Sequence, residues 1–127
     1  MPARYLIDTD VLIEYLRGKE RAAEFLEGIE GELMISAVTV AELFSGVRGA
    51  NEMEALDQFL PAFQVIPVDE PLARRGGLIR QQYYSSHGTG LADALIAATA
   101  LDRQARLVTF NRRHYPMLSD VVRPYRR

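Results

Sequence analysis

Apolar residues follow two rhythms along the chain: short unbroken runs, and longer stretches at helical spacing. Arg4-Tyr5-Leu6-Ile7 is a short run ending in Asp8-Thr9-Asp10, which predicts a buried strand feeding a helix that carries Val11, Leu12, Tyr15 and Leu16 and stops at Gly18. Ala22, Phe25, Leu26 and Ile29 give helical spacing over 21–29, and Leu33-Met34-Ile35 reads as a second strand. Val40, Leu43, Phe44 and Val47 predict a helix over 36–47. A further helix is expected over 52–60, stopped by Pro61, and Phe63–Ile66 reads as a third strand. A helix over 71–84, with Pro71 near its first turn, leads into a loop at 85–90. The Ala-rich stretch 91–101, apolar nearly all round, reads as a buried helix. Leu107-Val108-Thr109 is a fourth strand, and Val121-Val122-Arg123 reads as a last one. Short strands alternating with helices predict βαβ units: an α/β fold with a mostly parallel sheet and helices on both faces. In such sheets ligands sit at the carboxyl ends of the strands.

Composition narrows the picture. At 127 residues the chain suits one small domain, 1–127, with no linker, repeat or low-complexity stretch. With 48% hydrophobic and 25% charged residues it has the makeup of a folded protein. There is no Cys, which excludes a disulfide scaffold and any thiolate metal site. No apolar run is long enough to span a bilayer, and none has the form of a secretory leader, so a cytoplasmic protein with no membrane association is expected. The net charge of -2 argues against a protein that coats nucleic acid, so any nucleic-acid contact must come from a local patch. Every basic residue except Lys19 and the two His is Arg, the side chain suited to bidentate phosphate contact.

Three acids then stand out. Asp8 follows the first strand, Glu42 lies inside the helix after the second, and Asp93 lies near the start of the Ala-rich helix. Each admits a structural role: Asp8 or Asp10 as a helix N-cap, Thr39 to Glu42 as a capping box, Asp93 as a first-turn charge. Yet Glu42 and Asp93 are set among apolar neighbours, where an uncompensated carboxylate is costly. Acids held close together resist ionising, and a hard divalent cation, Mg2+ or Mn2+, relieves that conflict.

Four blocks in order, Leu6–Ile13, Ser36–Leu43, Leu91–Ala98 and Leu107–Tyr115, resemble the PIN-domain ribonucleases, specifically the VapC toxins of VapBC toxin–antitoxin systems. The resemblance spans essentially the whole chain. It implies a three-layer α/β/α domain, Mg2+- or Mn2+-dependent endonucleolytic cleavage of RNA, a VapB-like antitoxin partner and a homodimer. By position it makes Asp8, Glu42 and Asp93 the catalytic and metal-site acids. Many relatives carry a further Asp in the last block, where this chain has Asn111, so one cation is expected rather than two. Asp10, Thr9, Thr109 and Asn111 are auxiliary candidates. Arg112 and Arg113 are candidates for flanking phosphates, with Arg17 and Arg48 behind them, and Tyr115 is an aromatic on which a base can stack. His87 reads as an exposed loop residue within reach of substrate, and His114 as structural. The apolar residues between Phe25 and Leu60 form either one core with the rest or, in part, a groove for an antitoxin helix or a dimer seam.

Two other readings stay open. Ile7-Asp8-Thr9-Asp10 also suits a haloacid-dehalogenase-like phosphatase, though no downstream Lys or second acid pair accompanies it. A degenerate PIN-like module that binds RNA or protein without cutting is the other.

Overall fold

The computed structural model describes residues 2–127. Four strands, β1 (Arg4–Ile7), β2 (Glu32–Ser36), β3 (Gln64–Ile66) and β4 (Arg106–Val108), form one sheet in the order β3-β2-β1-β4. Every strand pairing is parallel. Six helices connect them: α1 (Thr9–Leu16), α2 (Glu20–Gly28), α3 (Ala37–Ser45), α4 (Gly49–Phe59), α5 (Glu70–His87) and α6 (Leu91–Arg103).

Because successive strand residues point to opposite faces, each apolar strand divides its side chains between two cores. Leu6, Met34 and Leu107 face the α5–α6 layer, where they join Ile79, Ile96, Ala97 and Tyr115. Ile7, Ile35 and Val108 face the other way, against Val11, Leu12, Leu26 and Leu43. These two clusters are the three-layer α/β/α architecture that the alternation of runs and helical stretches implied. A fully buried Leu or Ile contributes roughly 1.5–3 kcal/mol, so both faces are needed to hold so short a sheet. The α5–α6 layer packs closely because position 76 is Gly: a Cβ there would stand 2.5 Å from Leu95 Cδ2.

Several boundaries differ from the sequence reading, each for a local reason. Helix α5 continues to His87, because Gly88 adopts a left-handed conformation (φ 69°) that ends it, which shortens the expected loop to three residues. Helix α4 starts at Gly49, where Glu52 Oε1 accepts from the Arg48 N–H at 2.9 Å. Ser36, not Thr39, caps α3, accepting from the Val38 N–H at 3.0 Å. Thr39 is fully buried instead. The expected strand at 121–123 is a single parallel bridge between Val122 and Val108. Of the apolar set between Phe25 and Leu60, Leu26 and Leu56 are core, and Phe25, Phe44, Phe59 and Leu60 pack against it. Phe59 stacks on Tyr15 at 4.8 Å, and all six residues are buried or half-buried in the core on this face of the sheet.

The sheet order makes β1 and β4 neighbours across the point where the chain reverses direction along the sheet. That is the switch point at which open α/β sheets leave a crevice beyond their strand ends. Asp8 follows β1 there, and Thr109 follows β4.

Candidate active site

Asp8 leaves β1 with its N–H donating to the Val108 carbonyl at 2.9 Å and becomes the N-cap of α1. It is 5% exposed, yet three donors reach it. The Thr9 N–H donates to Oδ1 at 2.8 Å, and the Thr109 and Tyr115 hydroxyls donate to Oδ2 at 2.7 and 2.9 Å. The same Tyr115 oxygen lies 3.1 Å from Asp93 Oδ1, so one phenol hydrogen serves two carboxylates. Asp93, in the first turn of α6, has its other oxygen 3.0 Å from His114 Nδ1, within hydrogen-bond distance. The Thr89 hydroxyl donates to the His114 carbonyl at 2.7 Å and pins this turn to the α5–α6 connection.

Glu42 approaches from the other side. Thr9 Oγ1 donates to Glu42 Oε1 at 2.7 Å and lies 3.0 Å from Thr39 Oγ1. The three acids expected from the sequence thus sit on one hydrogen-bonded chain, Glu42–Thr9–Asp8–Tyr115–Asp93–His114. Glu42 itself is exposed, against the expectation of a buried face: α3 turns that position outward while Leu43 takes the core.

Burial, and next the charge on Asp10, push the Asp8 carboxyl up to about 7, against the opposing pull of the hydroxyl and N–H donors. Asp10 is raised as well, chiefly by burial, despite the Phe110 N–H donating to its Oδ2 at 3.0 Å. Its other oxygen, Oδ1, is buried with no hydrogen-bond partner. Burial between two acids also raises the Tyr115 phenol well above its ordinary value.

Among the described residues, no three carboxylates or imidazoles stand together as a ready ligand shell; hydroxyls and N–H groups occupy the acid oxygens instead. The donor set nonetheless fits a hard cation. It is all oxygen, it sets buried Asp8 in charge conflict with half-buried Asp10, and Asp10 keeps one buried oxygen without a partner.

Other expectations divide. Thr9 and Thr109 bond directly to the acids. Asn111 enters only through its N–H, which donates to Thr109 Oγ1 at 3.0 Å; its side chain is exposed and makes no bond to the acids. Arg112 and Arg113 are exposed on a short 3-10 turn, Arg112–His114, beside the site. Tyr115 is corrected outright. At 1% exposure it offers no face for a base to stack on, and its hydroxyl belongs to the acid cluster. His114, read as structural, touches Asp93. No periodicity reveals either residue, because they lie in an irregular segment; the available signal was that a buried tyrosine needs a partner for its hydroxyl.

Residues 5–117 match the PIN domain family. The chain is 42% identical over 123 residues to the ribonuclease VapC10 of Mycobacterium tuberculosis, covering 94% of this chain and 92% of that protein. This chain belongs to the VapC branch of the PIN-domain family. A second M. tuberculosis relative, the ribonuclease VapC19, is 41% identical over 124 residues, covering 94% of this chain and 98% of the relative. In three dimensions the PIN domain superposes on a toxin–antitoxin complex from Klebsiella pneumoniae with a TM-score of 0.82 and 29% identity, covering 95% of this chain and 98% of that one. The phosphatase alternative falls with this membership, and Lys19, the one lysine, is exposed and far along the chain from β4. Among the described residues, no helix is long and apolar enough to cross a membrane.

Proposed function

We propose that this PIN domain is a Mg2+- or Mn2+-dependent endoribonuclease, the toxin of a toxin–antitoxin pair. The observation that carries the reading is the bridge Asp8–Tyr115–Asp93 with Glu42 joined through Thr9: acids from β1, α3 and α6 converge at the sheet's switch point. Family membership adds the reaction class.

Asp8 and Asp93 would hold the cation, with Glu42 and Asp10 beside them. A bound divalent cation supplies a water of lowered pKa and a positive clamp on the phosphate. The protein's own part is positional. Thr109 and Tyr115 fix Asp8, His114 fixes Asp93, and Thr9 aims Glu42. Glu42, exposed and held through one oxygen, would accept the proton of an attacking water. As that water's oxygen bonds phosphorus, the opposite P–O bond breaks, and the leaving alkoxide oxygen takes up a proton from solvent to become a hydroxyl.

The antitoxin's seat is a groove of about 610 Å3 between α1, α3 and α4, lined by Ile13, Leu16, Leu43 and Val47 and edged by Arg17 and Arg48. Glu42 is part of that lining, so a segment bound there covers the site's open side. Similarity to the Klebsiella toxin–antitoxin complex supports this occupant. A cytoplasmic homodimer is the assembly we expect.

The test is cleavage of a single-stranded RNA pool by purified protein with Mn2+, with EDTA, and by Asp8→Asn. Cleavage that needs the cation and vanishes in Asp8→Asn supports the assignment. RNA binding with no cleavage and no Mn2+ affinity would instead favour the non-catalytic module.

A further inference from the structure

Charge is divided unequally along this chain. Residues 103–127 hold seven arginines and one acid, Asp120, whereas residues 1–102 hold eight basic side chains and sixteen acids. So sharp an asymmetry in a chain of net charge -2 localises the surface suited to nucleic acid. Arg103, Arg106 and Arg127 are paired with Asp102, Asp120 and Glu14. Arg112, Arg113, Arg123 and Arg126 are exposed and have no carboxylate partner among the described residues.

Their placement follows from the fold. The parallel bridge of Val122 to Val108, the last residue of β4, carries residues 123–127 past that strand's carboxyl end, the end that carries the acids. There the segment is strapped down. Tyr125 meets Phe110 edge-on at 5.0 Å, and the Arg127 guanidinium lies 4.3 Å from the Phe110 ring centre while pairing with Glu14 at 3.1 Å. On the other side, Arg21 stacks on Tyr125 at 4.7 Å and donates to the Arg126 carbonyl at 2.8 Å. Phe110 is the hinge of this arrangement, because its own N–H donates to Asp10 at the site. The strap is therefore ordered by rings and paired charges, and Arg123 and Arg126 are spent on none of those contacts.

We infer that residues 123–127 form a phosphate-binding strap for single-stranded RNA, in which Arg123 and Arg126 extend the track begun by Arg112 and Arg113 away from the acid cluster. This rests on the ribonuclease reading and adds to it the surface that brings a polyanion to an acidic centre. The contacts are to backbone phosphate, so they raise affinity for any RNA sequence alike.

The strap is tested on the full chain with a fluorescent single-stranded oligoribonucleotide in EDTA, where nothing is cut. Affinity is measured across a salt series for wild type, Arg123→Gln/Arg126→Gln, Arg123→Lys/Arg126→Lys and Arg80→Gln. Loss of two phosphate contacts reduces the slope of log affinity against log salt by about 1.4, at roughly 0.7 per contact on a single strand. The Gln pair is expected to show that shift with a several-fold loss of affinity, at an unchanged melting midpoint. The Lys pair restores the slope, and Arg80→Gln, on α5, leaves it untouched. A Gln pair that binds RNA with the wild-type slope overturns the strap while cleavage by wild type still upholds the nuclease. A Gln pair that loses the antitoxin but keeps RNA makes the strap a protein surface and also overturns it. Wild-type protein that neither binds nor cuts RNA sinks both readings together.

Discussion

The two sides of the acid cluster are built differently. On the β4 side, Asp8 and Asp93 are fastened by Tyr115, Thr109 and His114, two of which are fully buried. On the β2 side, Glu42 stands exposed at the mouth of a groove and is held by a single threonine hydroxyl. The first side is pre-set by the fold, so changes there reach both stability and chemistry. The second is exposed and tied at one point, so changes there should reach chemistry alone.

The largest expected effect is on the fastened side. Asp93→Asn should lower metal-dependent RNA cleavage by roughly a thousandfold, because it removes several kcal/mol of cation binding and charge stabilisation. Circular dichroism should show a fold like wild type, and growth inhibition on expression should disappear. On the open side, Glu42→Gln should lower cleavage by about a hundredfold, the usual scale of a lost general base. Its melting midpoint should match wild type, because the side chain is exposed. A large loss of stability in Glu42→Gln would erase the distinction between the two sides.

The third prediction concerns pH in metal-free protein. Asp8 titrates near 7 in the fold and near its ordinary 3.8 when unfolded. Its folded pKa is raised, so its contribution is fully present below pH 3.8 and is lost as pH rises through 7. Between pH 5 and 8 in EDTA, wild type should therefore lose about 2–3 kcal/mol from this group. Asp8→Asn should flatten that slope and melt higher than wild type at pH 8. A flat wild-type profile would mean that Asp8 is not in charge conflict.

The smallest effect is Tyr115→Phe, which removes one hydroxyl and keeps the ring. Unfolding should show a loss of about 1 kcal/mol, the scale of one hydrogen bond. Cleavage should fall about tenfold, the lower end for a residue that orients ligating groups. Unchanged cleavage would make the phenol a packing residue only.

How much of this the chain disclosed beforehand depended on regularity. The parallel sheet and the two helical layers were legible because Leu6/Ile7 and Met34/Ile35 are apolar pairs that must find cover on opposite faces. Asp8 and Asp93 were legible because each follows or opens an apolar element. The Thr-x-x-Glu spacing of Thr39 and Glu42 has the form of a capping box, but the cap is Ser36 and Thr39 stays buried against Thr9. Tyr115, His114 and the strap were not legible. Their positions depend on the single bridge at Val122 and on long-range contacts to Phe110 and Asp93, which leave no period in the sequence.

Whether acids distant in the chain share one cation against an RNA phosphate can be read from a crystal soaked with Mn2+ and measured at the manganese absorption edge. One anomalous peak, ligated by carboxylate oxygens of Asp8 and Asp93, is expected. A fully soaked crystal with no peak there, and with Tyr115 still joining the two acids, would contradict it.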